Sequence, residues 1–447
     1  MKHSDTGTLR DSLRTQLWPV PLAAVVIAVA LGQFLPFLDR SLEDDLSPLL
    51  TRFLFGGGPE AARSLLETIA SSMITVTSLT FSLTVVTLQL ASSQFSPRLL
   101  RTFTRDRVVH NTLALFVATF AYGLTVLRSI RVETSSGSGF VPELAVTFAF
   151  VLALASVVGL VLFLAHLARQ IRVETMLHDV HRETHGTLER IFPTNREPVD
   201  ASVIPPTAAT PVPARSSGFL LSVDRRSALS AVVAADAVVV VDATPGTSLV
   251  RGVPFARVWG TDGSSLAGDR LGELEEGLND AVSVGFERTS AQDGSFGLQQ
   301  LLDVANKALS PGVNDPTTAV HALGHVSAVL CAVGTRTTGS EATRDDHGRA
   351  RIILTHPTFA QLLDLVMDQV VTYAFSDSRT AERALTMLRE ITVTSSDGGT
   401  SPHRDALLHH VDRARTAVNN SVLDASICDR LLAMTTEIEE SLSCTRD

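Results

Sequence analysis

Four long apolar runs dominate the first 170 residues, three uncharged and the second with one charge, Glu67, in its first turn. Leu17 to Leu38, Leu65 to Ala91, Val108 to Leu127 and Leu144 to Leu167 each hold at least 20 residues. As helix each covers about 30 Å, the thickness of a bilayer's hydrocarbon core. Pro19, Pro21 and Pro36 fall near the ends of the first run, where a helix tolerates them. The pattern predicts four membrane-spanning helices. The first run is longer than a signal-peptide apolar region and lacks a small-residue cleavage site, so it is expected to stay in place. Lys2, Arg10 and Arg14 precede it, Arg98, Arg101, Arg105 and Arg107 fill the second connection, and Arg169 and Arg172 follow the fourth run. By the positive-inside rule both termini are expected in the cytoplasm.

Beyond residue 168 the pattern changes. A juxtamembrane helix and a proline-rich linker are predicted over 169–217, a small β-module over 218–262 and a helical cytoplasmic domain over 263–447. Glycine and proline turns bound the strand-like runs Gly218–Val223, Ala237–Asp242 and Leu249–Trp259. Leu271, Leu274, Leu278 and Val282 then recur at helical spacing, as do Leu298, Leu301, Leu302, Ala305 and Leu309. Further helices are predicted at 316–332, 358–375, 377–393 and, with breaks, 402–445, with a polar loop from Gly334 to Ala350. The expected fold class is mainly α: a four-helix transmembrane part, then a cytoplasmic part.

Composition sharpens this reading. The 447 residues are 45% hydrophobic and only 19% charged, against about 25% charged in ordinary soluble domains. Disordered and collagen-like chains are excluded. A formal net charge of -10 without a long basic tract argues against nucleic acid as a partner. Cys331, Cys428 and Cys444 stand far apart, which fits neither a disulfide framework nor a structural zinc site. No lysine follows a glycine, so no Walker A loop exists, and no cofactor is expected.

The second run carries the most chemistry. At 100° per residue, Ser71, Thr75, Ser78, Ser82, Gln89 and Ser93 fall in one stripe. Thr77, Thr80, Thr84, Thr87 and Gln94 fall on the opposite side. Hydroxyl stripes serve as packing between helices or as the lining of a water-filled path, and the sequence leaves both open. In the second case a homo-oligomer is needed to enclose the path. Asp39, Glu43, Asp44 and Asp45 would then ring its outer mouth and favour cations, with Arg98 and Arg101 at the inner end.

Other candidates have structural explanations beside the functional ones. Glu174, His178, His181, His185 and Glu189 share one helix face. That spacing suits a divalent metal or a pH switch, but a solvated juxtamembrane face accounts for it first, since exposed His and Glu need no further explanation. His321 and His325 repeat it. In Ser310–Ala319, Gly312 suits a left-handed position past a helix end, with Asp315 as N-cap and Pro316 at N1. Asn314 and Asp315 are candidate ligand-binding residues at that turn. Asp303 and Lys307 are spaced for an ion pair, and Asp293 for a cap before Phe296. No catalytic set converges, so an enzyme is not expected.

The segments Leu90-Ala91-Ser92-Ser93-Gln94-Phe95-Ser96-Pro97-Arg98-Leu99-Leu100 and Ala308-Leu309-Ser310-Pro311-Gly312-Val313-Asn314-Asp315-Pro316-Thr317-Thr318-Ala319 resemble the two hallmark segments of a bacterial family. Its members are predicted membrane proteins containing a domain of unknown function. The resemblance implies the architecture and brings no activity. The sequence therefore leads to an ion channel or pore in the bacterial inner membrane, with the lipid bilayer and inorganic ions as partners. The alternative is a membrane-anchored signalling or scaffold protein without a pore.

Overall fold

The computed structural model describes residues 18–42, 54–94, 106–131, 140–170, 172–194, 205–396 and 402–443. The chain divides into two compact units, Met1–Thr175 and Met176–Asp447.

The first unit contains α1 (Pro19–Leu42), α2 (Pro59–Gln94), α3 (Arg107–Leu127) and α4 (Glu143–Gln170). All four are long and apolar enough to cross a membrane. The hub is α3, which packs against the other three. Its core joins Leu66 of α2, Tyr122 and Val126 of α3, and Ala145, Val146 and Ala149 of α4. Small and hydroxyl residues set the spacing, as expected where apolar burial alone gives no drive. A Cβ on Gly32 of α1 would sit 2.8 Å from the Thr125 Cβ. Thr119 and Ser156 share a hydrogen bond of 3.1 Å between α3 and α4. The buried Tyr122 hydroxyl donates to the Ala145 carbonyl at 3.0 Å. At 36 residues, α2 is about 54 Å long and exceeds a bilayer core of about 30 Å.

The second unit takes in α5 (Val173–Ile191) from Met176 onward, and then mixes strands and helices. Strands β1 (Thr210–Pro213), β3 (Ala237–Val241), β5 (Pro254–Gly260), β7 (Glu341–Arg344) and β8 (Ala350–Leu354) form one sheet, ordered β1-β5-β3-β8-β7. Only the β3–β8 pairing is parallel. Strands β2 (Gly218–Val223), β4 (Ser248–Leu249) and β6 (Val282–Gly285) form a second sheet, ordered β4-β2-β6. Helices α6 (Arg225–Ala234) and α7 (Asp269–Ala281) cover them. The shared core includes Val232, Val239, Val241, Phe255, Leu274, Leu278 and Ile352. Every residue of β3 is buried, which explains its unbroken Ala-Val-Val-Val-Val sequence.

Three expectations change here. The predicted loop from Gly334 to Ala350 contains β7, and β8 follows it into the main sheet. The β-module is thus not a separate domain over 218–262, because two of its strands come from 341–354. The linker also contributes a strand, β1, whose Thr210–Val212 pairs with β5.

The remaining helices are α8 (Phe296–Ala308), α9 (Pro316–Gly334), α10 (Phe359–Tyr373), α11 (Ser378–Ser395), α12 (Arg404–Asn419) and α13 (Ala425–Ser443). Helix α9 is a fifth described helix long and apolar enough to span a membrane. It packs against α8, α10 and α11.

Candidate functional site

The two hydroxyl stripes of α2 meet different surroundings. Thr80, Thr84 and Thr87 are buried within the first unit. Thr84 and Thr87 donate to the Thr80 and Leu83 carbonyls at 2.8 and 2.9 Å. The Thr80 hydroxyl is buried without a partner among the described residues. The opposite stripe is turned away from α1, α3 and α4: Ser71, Thr75, Ser78, Ser82 and Gln89 are all exposed. Ser71 and Thr75 return their hydroxyls to the carbonyls of Thr68 and Ser71 at 3.1 and 3.0 Å. Ser78, Ser82 and Gln89 have no side-chain partner among the described residues. Ser93 belongs to the helix, but its side chain lies outside the described residues. Isoleucine, leucine, phenylalanine and valine flank the exposed stripe, with Ile74, Leu79, Phe81, Val85 and Val86 exposed beside it.

Asp39 does not stand in an open mouth of the single chain. It is only 7% exposed, and its carboxylate accepts from the backbone N–H groups of Leu144 and Ala145 at 3.1 and 3.2 Å. Those groups open α4, where a carboxylate satisfies orphan donors and complements the helix dipole. The neighbouring Arg40 guanidinium lies 4.5 Å from the Phe140 ring centroid, so the end of α1 is anchored to the start of α4 twice. Glu43, Asp44, Asp45, Arg98 and Arg101 lie outside the described residues.

At the other end of α3, Asp106 caps the helix by accepting from the Val108 N–H at 2.8 Å. The same carboxylate binds the His166 ring and accepts from Gln170 at 3.2 Å. Sequence periodicity alone did not reveal this latch, since its members lie 60 and 64 residues apart.

The turn over 310–316 is a helix stop and restart, with one reassignment. Asn314, rather than Gly312, occupies the left-handed region, at φ 49°. The Asn314 N–H donates to the Ser310 carbonyl at 2.9 Å and the Asp315 N–H to the Ala308 carbonyl at 2.8 Å, closing α8. Asp315 then caps α9, accepting from the Thr318 N–H at 3.1 Å and its hydroxyl at 2.6 Å. These bonds hold its carboxyl below the ordinary aspartate range. Both candidate ligand residues thus have a complete structural role. Asp293 likewise accepts from the Ser295 and Phe296 N–H groups at the start of α8. Asp303 accepts from Gln299 at 2.9 Å.

The histidines of α5 do not form a metal centre: among the described residues no three His, Cys, Asp or Glu side chains are grouped to hold an ion. His178 is exposed, while His181 and His185 are half-buried. The His181 ring instead faces His325 of α9, with ring centroids 5.1 Å apart. The i, i+4 spacing of both helices was visible in the sequence; their meeting across 144 residues was not.

Residues 14–390 match the family described as "Predicted membrane protein (DUF2254)", and the chain belongs to that family. Two relatives illustrate its range. Uncharacterized protein Mb1321c of Mycobacterium bovis and uncharacterized protein Rv1290c of Mycobacterium tuberculosis are each 34% identical to this chain over 366 residues. Each alignment covers 81% of this chain and 69% of the relative. No solved structure matches. The family defines a membrane protein of unknown function.

Proposed function

We propose that the chain assembles as a homo-oligomer in the bacterial cytoplasmic membrane and acts as an ion channel or pore. Four helices, α1 to α4, cross the bilayer, and both termini lie in the cytoplasm. The second unit is the assembly and gating domain, with α9 as one of its core helices. The observation that carries this reading is the division of labour on α2. The single chain buries Thr80, Thr84 and Thr87 and leaves Ser71, Thr75, Ser78, Ser82 and Gln89 exposed. Unpartnered polar groups at membrane depth are tolerated where they face water or protein. A shared axis between copies supplies both conditions. With Asp39 engaged as a cap, cation preference rests on Glu43, Asp44 and Asp45, opposed by Arg98 and Arg101. No catalytic role is assigned.

A scaffold without a pore is favoured by one specific feature. Ser71 and Thr75 satisfy their own hydroxyls on the helix backbone, so part of the stripe needs no water. Ion flux from liposomes holding the purified chain separates the two readings. The pore predicts flux of Na⁺ or K⁺ that Ser78→Trp and Ser82→Trp abolish while oligomer size holds. An intact oligomer with no flux contradicts it and leaves the scaffold.

A further inference from the structure

Five histidines gather where α5 and α9 meet through their imidazole rings. His178, His181 and His185 come from α5, and His321 and His325 from α9. The His181 and His325 rings lie 5.1 Å apart and tilted by 55°. His185 flanks His181 on its other side, with centroids 6.2 Å apart. The His181 Nδ1 is buried without a hydrogen-bond partner among the described residues.

The charged groups around the cluster are engaged with one another. On α5, Asp179 holds Arg182 at 2.7 Å, and Glu183 takes the Ser290 hydroxyl. Glu189 lies 3.6 Å from His185 and 3.2 Å from Arg336, which follows α9. From α11, Arg383 comes within 4.0 Å of where a Cβ on Gly324 would sit, beside His325. It pairs with Glu390, whose carboxylate also accepts from Ser327 of α9. The groups named on α8 at this seam are uncharged: Gly297 abuts Thr184 of α5.

Burial first, then the neighbouring imidazoles, hold His325 below the ordinary histidine range. Burial does the same to His181; a bond to the His325 backbone opposes it, and His185 and His178 reinforce it. A base held neutral by its packed state favours that packing above its ordinary pKa, near 6.5. The advantage fades as pH falls below that value, because the released helix takes up the protons more readily.

We propose that the seam between α5 and α9 is a proton-operated switch: acidification charges His181 and His325 together, and their repulsion releases α5 from α9. Helix α5 begins at Val173, three positions after α4 ends at Gln170. Its release therefore frees the segment that leaves the last apolar helix of the first unit. The switch does not depend on whether the spans conduct.

The test is amide hydrogen exchange on the full chain in lipid nanodiscs, at pH 7.5 and pH 5.5, corrected for the intrinsic pH dependence of exchange. Peptides covering 176–191 are expected to lose protection severalfold at pH 5.5 relative to pH 7.5. Peptides of α6 and α7, which carry no histidine, serve as the internal reference. His325→Gln and His181→Gln each remove most of that response while protection at pH 7.5 holds. If either loses protection throughout, His325→Phe substitutes an uncharged ring of similar shape. Equal protection of 176–191 at the two pH values overturns the proposal. So does a full pH response in the His181→Gln, His325→Gln double variant. A zinc-induced gain of protection at pH 7.5 that EDTA reverses also overturns it, by making the cluster a metal centre.

Discussion

Replacing Asp39 with alanine removes the acceptor for two backbone N–H groups at the start of α4, in a site only 7% exposed. Loss of a helix cap costs about 0.5–2 kcal/mol, and a buried donor left without a partner about 1–3 kcal/mol. The two N–H groups belong to one cap, so their losses do not add fully. An overall destabilisation of about 2–3 kcal/mol is expected. Asp39→Asn keeps one acceptor oxygen and loses the charge on the helix dipole, a loss of about 1 kcal/mol. Unfolding of the purified chain in mixed detergent micelles should therefore rank wild type above Asp39→Asn above Asp39→Ala. Flux assays on the same proteins provide the contrast. If Asp39→Ala unfolds like wild type and only ion selectivity changes, the carboxylate serves a mouth and the capping argument fails.

Three further outcomes follow from the second unit. Asn314→Val forces a β-branched residue into the left-handed region, where φ is 49°, and should destabilise by about 1–2 kcal/mol. Asn314→Gly should stay near wild type, both read from the fluorescence of buried Trp259 during urea unfolding. Gly297→Ala places a Cβ against Thr184, whose own Cβ would lie 2.7 Å away; overpacking of this kind costs about 1–3 kcal/mol. Thr184→Gly should recover part of that loss in the double variant, and a cycle with no coupling would refute the contact. Burial holds His403 and His410 below the ordinary histidine range. Their contribution is present above about pH 6.5 and is lost as pH falls through their folded-state values, so the urea midpoint of the second unit should decline on acidification. Leu or Phe replacements at His403 and His410 should flatten that slope.

The apolar helices of the first unit were legible because long apolar runs admit few other structures, and the ends of α8 and α9 because caps are local. The relation between the two α2 stripes was legible to the same degree: the wheel separated them. Which stripe is buried depends on α3, and no local signal in α2 carries that information. Asp39 was misplaced for the same reason. Its partners lie 105 and 106 residues away, and an aspartate beside a run of acids reads as a mouth. Strand β8 was hidden because Ile352-Ile353-Leu354 is short and follows a polar stretch, and its parallel partner β3 lies more than 100 residues earlier. Gly312 drew the left-handed assignment by its lack of a side chain, whereas the hydrogen bonds closing α8 fall so that Asn314 turns instead.

The central claim is that the exposed stripe of α2 faces water in an assembled pore. It is tested most directly by cysteine accessibility in a background lacking Cys331, Cys428 and Cys444. Single cysteines at Ser71, Thr75, Ser78 and Ser82 should react with a charged, membrane-impermeant thiol reagent and lose flux as they do. Cysteines at Thr80 and Thr84 should stay unreacted. Equal silence of both stripes in a folded oligomer would place Ser71 to Ser82 against lipid or protein and contradict the pore.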